Sequence, residues 1–360
     1  MNTTRNNNAY SWRKITAFFG NMQKFLYFCT RMRKNTSIFL VLSLLLLILS
    51  VVDLCSGAIW ISPWKLQGLN EMHAQILMQL RLPKMITAIL AGASLSVAGL
   101  LMQTLFRNPL AGPYILGVSS GASLGVAFAT LCASVFGGVA IAGHGSTVSA
   151  AIIGSMVVLL LVMAIAKRVK SNVTLLIVGM MLGNIATALV NVLQNFANPD
   201  SLKLFIVWTL GTLNGVGWKE LPILLGILLV GALLVLLLVK PLNGLLLGED
   251  YARSLGVEVQ RTRWMIVMAT GLLAGGITAF CGPIAFIGMA VPHIARGILK
   301  SSNHRRTVPM TALIGANLLL ICDILCNLGT YPLPISTISA LFGAPIMIWI
   351  ILRPAGQKSL

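Results

Sequence analysis

The chain has little with which to do covalent chemistry. Its eight carboxylates are Asp53, Glu71, Asp200, Glu220, Glu249, Asp250, Glu258 and Asp323, and only Asp323 falls well inside an apolar run. An ionisable acid at that depth is costly to keep and is a functional hypothesis by default. Two roles compete for it: the proton-relay carboxylate of an ion-coupled secondary transporter, or a structural acid bonded to a neighbouring helix. With no basic partner evident on nearby helices, a proton path is poorly supplied and the structural role is preferred. His73, His144, His293 and His304 fall in different loops. Cys322 and Cys326 share a helix face four residues apart, yet no CxxC or Cys/His ligand cluster accompanies them. There is no phosphate-binding GxxxxGK[ST] loop, no GxSxG elbow and no HExxH pair. The chain is therefore not expected to be an enzyme or to hold a cofactor or metal, and any ATP hydrolysis has to come from another subunit.

The elements that carry these side chains are set by composition. The chain is 57% hydrophobic and 9% charged, with a mean hydropathy of +0.90, and that much apolar surface does not fit inside one water-soluble core. An all-α, polytopic membrane helix bundle is expected. A hydrocarbon core of about 30 Å takes about 20 residues per helix. Pro, Gly and charge punctuation gives about ten such runs, near 38–57, 84–106, 114–136, 148–167, 173–196, 221–240, 263–281, 284–299, 307–327 and 335–352. The eighth is short, and the stretch 200–218 leaves room for an extra partial helix.

Charge placement orients the bundle, because Lys and Arg collect in cytoplasmic loops. With the N-terminus inside, alternate loops take most of the 26 Lys and Arg, and only Lys65, Arg81, Lys84, Lys203 and Lys219 remain outside. Both termini are expected in the cytoplasm. The formal charge of +18 is then mostly a topology signal, and nucleic-acid binding is not expected. Residues 1–36 are basic with interspersed aromatics, and the apolar run after them is of bilayer-spanning length, unlike a signal peptide. They read as a cytoplasmic tail, either loosely ordered or lying on lipid as an amphipathic helix. A single transmembrane domain over 37–353 and a second tail at 354–360 complete the expected organisation.

Two features are too specific for loop filler. The first is Arg107-Asn108-Pro109-Leu110-Ala111-Gly112-Pro113, followed by Ile115-Leu116-Gly117, a polar break between two spans that no helix crosses intact. The second is the loop of about 241–262. There Pro241-Leu242-Asn243-Gly244 is expected to break the sixth span, and 245–257 to form a short amphipathic helix. Leu246, Leu247, Tyr251 and Leu255 recur at helical spacing, Glu249 and Asp250 stand at the N-terminal end, and Gly256 is placed to cap it. Small-residue faces predict close packing elsewhere: Gly117, Gly121 and Gly125 on the third span, Gly271 and Gly275 on the seventh, and Ala91 to Gly99 on the second. Ala98-Gly99, Pro113 and Gly117 are loosely echoed by Ala274-Gly275, Pro283 and Gly288, which gives the bundle inverted-repeat character.

Several separated motifs occur in order: Arg81-Leu82-Pro83-Lys84, Gln103 with 107–111, Leu247-Gly248 to Leu255-Gly256, 282–288 with Val291 to Arg296, and Leu341 to Pro345. Over roughly residues 75–353 the chain resembles the FecCD-type permeases, membrane subunits of type II ABC importers for iron-siderophores, haem and cobalamin. The resemblance implies a permease dimer, expected to be a homodimer in a bacterial inner membrane, together with ABC ATPase subunits and a substrate-binding protein. It implies ATPase coupling through Leu246, Leu247, Gly248, Glu249, Asp250, Arg253, Leu255 and Gly256. A cytoplasmic gate is implied at Asn108, Leu110, Ser171 and Asn172, and binding-protein docking at Arg81 and Lys84. Two departures weaken the outer face of the pattern. Cys326-Asn327 stands where relatives commonly carry Ala-Arg, and Pro332-Leu333-Pro334 where they carry Glu-Leu-Pro. Iron-siderophore ranks first as cargo because that class is the broadest in the family.

Overall fold

The computed structural model describes residues 36–57, 71–132, 144–169, 171–328 and 332–352. The tails expected at 1–36 and 354–360 lie outside these, apart from Thr36. Every regular element among the described residues is helical. We number the helices α1 (Thr36–Cys55), α2 (Glu71–Phe106), α3 (Val118–Cys132), α4 (His144–Arg168), α5 (Asn172–Phe196), α6 (Pro199–Thr209), α7 (Leu221–Leu247), α8 (Glu249–Ser254), α9 (Val259–Cys281), α10 (Ile287–Leu299), α11 (His304–Cys326) and α12 (Ile335–Leu352). Seven are long and apolar enough to cross a membrane, and α3, α10 and the apolar part of α12 are shorter apolar helices. The ten runs read from composition are thus all present. The partial helix anticipated after residue 200 is α6. By internal contacts the chain divides into Met1–Leu45 and Leu46–Leu360. Within the first unit, 36–45 is helical, with Leu40, Val41 and Leu44 exposed. All that follows concerns the second unit.

The centre of this unit is α2, buried along most of its Leu82–Phe106 stretch. Its small-residue face does what that composition allows: a Cβ at Gly92 would run into the Gly315 carbonyl of α11, and one at Gly99 into the Gly288 carbonyl of α10. Gly121 and Gly125 of α3 meet Gly154 and Ala150 of α4 in the same way, while Gly117 lies against Gly179 and Gly183 of α5. Lipid tails are as apolar as the helices, so dispersion across close backbones is what holds such pairs together. By contrast α4, α5 and α7 keep exposed Leu, Val and Ile along much of their length.

The two short spans each follow a break. After the loop 107–112, a 3-10 turn Pro113–Leu116 and a left-handed Gly117 (φ 73°) precede α3, so α3 starts four residues later than the sequence suggested. After α9, Gly282 (φ 74°) and Phe286 (φ 65°) precede α10. The breaks touch each other: Ile284 N–H donates to Tyr114 Oη at 3.2 Å, and Pro113 packs on Gly288. Interrupted backbone is tolerated at membrane depth only where protein or water satisfies it, and here each break is covered by the other.

The break expected in the sixth span does not form. Pro241 does not break α7, which continues to Leu247 and stops at Gly248 (φ 125°). Proline deletes one backbone hydrogen bond. Leu242, Gly244 and Leu245 are buried, with Gly244 packed against Ala252 and Val257, and that burial holds the last turns helical despite the loss. The short helix therefore covers only Glu249–Ser254, and Leu246 and Leu247 belong to α7.

Candidate coupling site and its links to the gate loops

One end of the bundle collects Arg107, Lys167, Arg168, Lys240, Arg253, Arg261, Arg263, Arg296, Lys300, Arg305 and Arg306. The described cations at the opposite end are Arg81, Lys84, Lys203 and Lys219.

At the basic end α8 is short, and its position depends on side chains from other elements. Glu249 in its first turn accepts from Asn172 Nδ2 at 2.6 Å and pairs with Arg263 Nη2 of α9 at 3.2 Å. Asn172 opens α5 and also donates to the Leu105 carbonyl of α2 at 2.9 Å. Arg263 is 2% exposed and donates through Nη1 to the Val169 carbonyl at 2.9 Å. Neighbouring Gln260 reaches the Ala166 carbonyl at 2.6 Å. A buried guanidinium is tolerable when its donors are taken up in this way. Arg253 folds back over the helix to Asp250 at 3.1 Å and Glu249 at 3.5 Å. Gly256 (φ 80°) closes the helix as expected, with Gly256 N–H on the Arg253 carbonyl and Val257 N–H on that of Ala252. Leu246, Leu247, Tyr251 and Leu255 are exposed around α8, so the apolar residues singled out in the sequence face away from the bundle.

The expected gate residues lie on two loops. Asn108 accepts from Leu110 N–H at 2.9 Å, shaping the turn after α2, with Leu110 exposed. The Pro109 carbonyl of this loop meets His293 Nε2 at 2.8 Å. Arg107, in the left-handed region at φ 48°, donates to the Leu245 carbonyl at the end of α7 at 3.2 Å. On the other loop Ser171 caps α5. The structure thus joins Asn172 to Glu249 directly, and the Asn108–Leu110 loop to the end of α7 through Arg107.

At the opposite end the expected docking cations have partners inside the bundle. Lys84 Nζ is 2.8 Å from Asp323 Oδ1 and donates to Asn327 Oδ1 at 3.1 Å. Arg81 donates to the Leu54 carbonyl at 2.9 Å. Asp323 therefore does have a basic partner, contrary to the reading from sequence, because Lys84 on α2 is 239 positions away in the chain and pairing across that separation leaves no local pattern. Asp53 is the other surprise: it lies in the last turn of α1, is only 5% exposed and stands against Asp323. A cavity of about 170 Å³ opens beside this cluster, lined by Lys84, Thr212, Asn214, Asp323 and Asn327 among others. All four histidines sit in helices rather than loops: His73 lies within α2, His144 starts α4, His293 lies within α10, and His304 is the buried first residue of α11, which Asn303 caps.

A multi-pass helix bundle with two interrupted short spans, and a small helix wired to the loops at its basic end, is the architecture of a transport permease. The chain belongs to the FecCD transport family, which matches residues 45–353. It is 36% identical over 318 residues to the vitamin B12 import system permease BtuC of Klebsiella pneumoniae, covering 88% of this chain and 93% of the relative. It is 36% identical over 330 residues to BtuC of Salmonella typhi, covering 90% and 97%. A solved metal-chelate type ABC transporter in an inward-facing conformation superposes with a TM-score of 0.76 at 31% identity, covering 88% of this chain and 99% of the other.

Proposed function

We propose that this chain is the permease subunit of an ATP-driven importer. Its basic end faces the cytoplasm, both termini included, and receives an ABC ATPase on the Leu246, Leu247, Tyr251 and Leu255 surface. Its opposite end receives a substrate-binding protein. The observation that carries this reading is the bond from Asn172 to Glu249 at 2.6 Å: a helix displaced by an ATPase would pull directly on a gate loop. α5 supports the reading with a stripe of exposed polar residues, Asn184, Thr187, Asn191 and Asn195, at the spacing of one helix face. Amides facing hydrocarbon are costly, so the stripe belongs on an aqueous path that a second copy of the permease closes.

The cargo class is a large metal chelate handed over by the binding protein. The relatives named for vitamin B12 make a corrinoid the first compound to test, with iron-siderophores and haem beside it. The test is uptake into proteoliposomes holding permease, ATPase and binding protein. Uptake of one chelate that requires ATP and persists without a proton gradient supports the proposal. Uptake that collapses with the gradient and survives ATPase inactivation overturns it in favour of an ion-coupled carrier using Asp323.

A further inference from the structure

The last turns of α7 are tied to α2 by a second polar link that the coupling motif does not include. Asn243 lies two residues past Pro241, where the helix lacks one backbone bond. Its Oδ1 accepts from His304 N–H at 2.8 Å and stands 2.9 Å from His304 Nδ1, while its Nδ2 donates to Asn303 Oδ1 at 3.2 Å. His304 is 1% exposed, and its Nε2 lies 2.9 Å from Thr104 Oγ1 in the last turn of α2. Three residues later Arg107 holds the Leu245 carbonyl and begins the Asn108–Leu110 loop. The imidazole thus spans α7 and α2 at the head of α11. With Nδ1 protonated it donates to the amide oxygen of Asn243 and leaves Nε2 as an acceptor facing the Thr104 hydroxyl, whose single proton is shared between this nitrogen and the Leu100 carbonyl at 2.9 Å.

We propose that His304 and Asn243 are positioning residues: they fix the post-Pro241 segment of α7 against the end of α2, so that displacement of α8 reaches the Asn108–Leu110 loop. The inference rests on the importer reading above. It adds a second route. Glu249 passes motion to the Ser171–Asn172 loop, and the Asn243–His304–Thr104 chain passes it to the other loop. Pro241 separates this segment from the lipid-facing body of α7, so the segment can turn while the body stays packed.

The test uses the full permease–ATPase complex with its binding protein, and compares H304A, N243A, H304N and H304Q. Asparagine at 304 retains a donor at the place of Nδ1, and glutamine reaches toward the place of Nε2. H304A and N243A are expected to assemble with ATPase at wild-type yield and keep binding-protein-stimulated ATP hydrolysis within twofold, while uptake per ATP falls about tenfold. H304N is expected to recover most of that loss and H304Q little of it. Uptake and hydrolysis that fall in parallel, or an H304A complex transporting normally, overturn the proposal. If H304A does not assemble, N243A and H304N carry the same comparison. ATPase failing to co-purify even with the unaltered permease would instead refute the importer reading, so the two failures are distinguishable.

Discussion

Asn172 and Glu249 meet across 2.6 Å, and that contact joins the loop between two spans to the only short helix held between α7 and α9. Glu249 also neutralises the buried guanidinium of Arg263, so two effects are superposed in any substitution. Glu249→Gln keeps a side-chain acceptor for Asn172 and removes the charge; Glu249→Ala removes both. In a double-mutant cycle with Asn172→Ala, read as thermal stability of the detergent-purified permease, a coupling of about 1.5–3 kcal/mol is expected for a hydrogen bond to a charged group. Additive losses would mean that the two side chains do not interact.

The Lys84–Asp323 pair is largely buried, with Asp53 beside it. Removing the cation leaves two acids facing each other. Lys84→Met is expected to cost about 3–5 kcal/mol of stability, the range for an uncompensated buried charge, whereas Lys84→Met with Asp323→Leu should recover most of it. Melting temperatures of the purified complex test this. An unchanged Lys84→Met protein would show that the pair contributes little.

Arg81 is the remaining candidate for steering an acidic binding protein, since Lys84 already serves Asp323. A cation of that kind acts through association rate and salt dependence. Arg81→Gln is expected to slow capture of the loaded binding protein, most at low ionic strength, with basal ATP hydrolysis little changed. Binding kinetics indifferent to both the substitution and the salt would leave Arg81 as a brace for the Leu54 carbonyl.

The spans, the small-residue faces and the Gly256 cap were legible because each follows from a local rule: run length, GxxxG spacing, a helix stop. What stayed hidden is long-range pairing. Lys84 and Asp323 lie on helices far apart in the chain, and nothing near either residue announces the other. Arg263 looked like one more cytoplasmic cation, although its placement at the head of α9 opposite an acidic first turn was a usable hint. Pro241 misled because a helix-breaking propensity was weighed without the burial of Leu242 and Leu245 that overrides it. At His304 a polar His-Arg-Arg run hides the helix start that Asn303 caps.

At Gly99 and Gly288 the backbones of α2 and α10, the span that follows the second break, come into direct contact. A methyl group at either glycine meets backbone, which cannot rotate away, so Gly99→Ala should push the helices apart at a cost of about 1–3 kcal/mol, the range for overpacking. Gly145, whose added Cβ meets nothing, supplies the control. Folded yield by size-exclusion chromatography should fall for Gly99→Ala and hold for Gly145→Ala; equal yields would remove the steric argument.

The exposed apolar residues around α8 make the strongest demand on a partner. Leu247 and Leu255 are 64% and 58% exposed beside charged Arg253 and Asp250, at the end of the bundle where cations crowd. Burying them in an ATPase groove would be favourable by about 1.5–3 kcal/mol each, and a carboxylate there would instead be buried unpaired. Leu247→Asp with Leu255→Asp should therefore leave membrane insertion and the Glu249–Arg263 bridge intact while co-purification of the ATPase drops at least tenfold. Neither side chain supports the permease core, so loss of the permease itself is not expected. Wild-type recovery of ATPase with the doubly substituted permease would move the docking surface away from α8, most plainly to the Arg253–Arg261 side, where a cavity of about 400 Å³ is the next place to look.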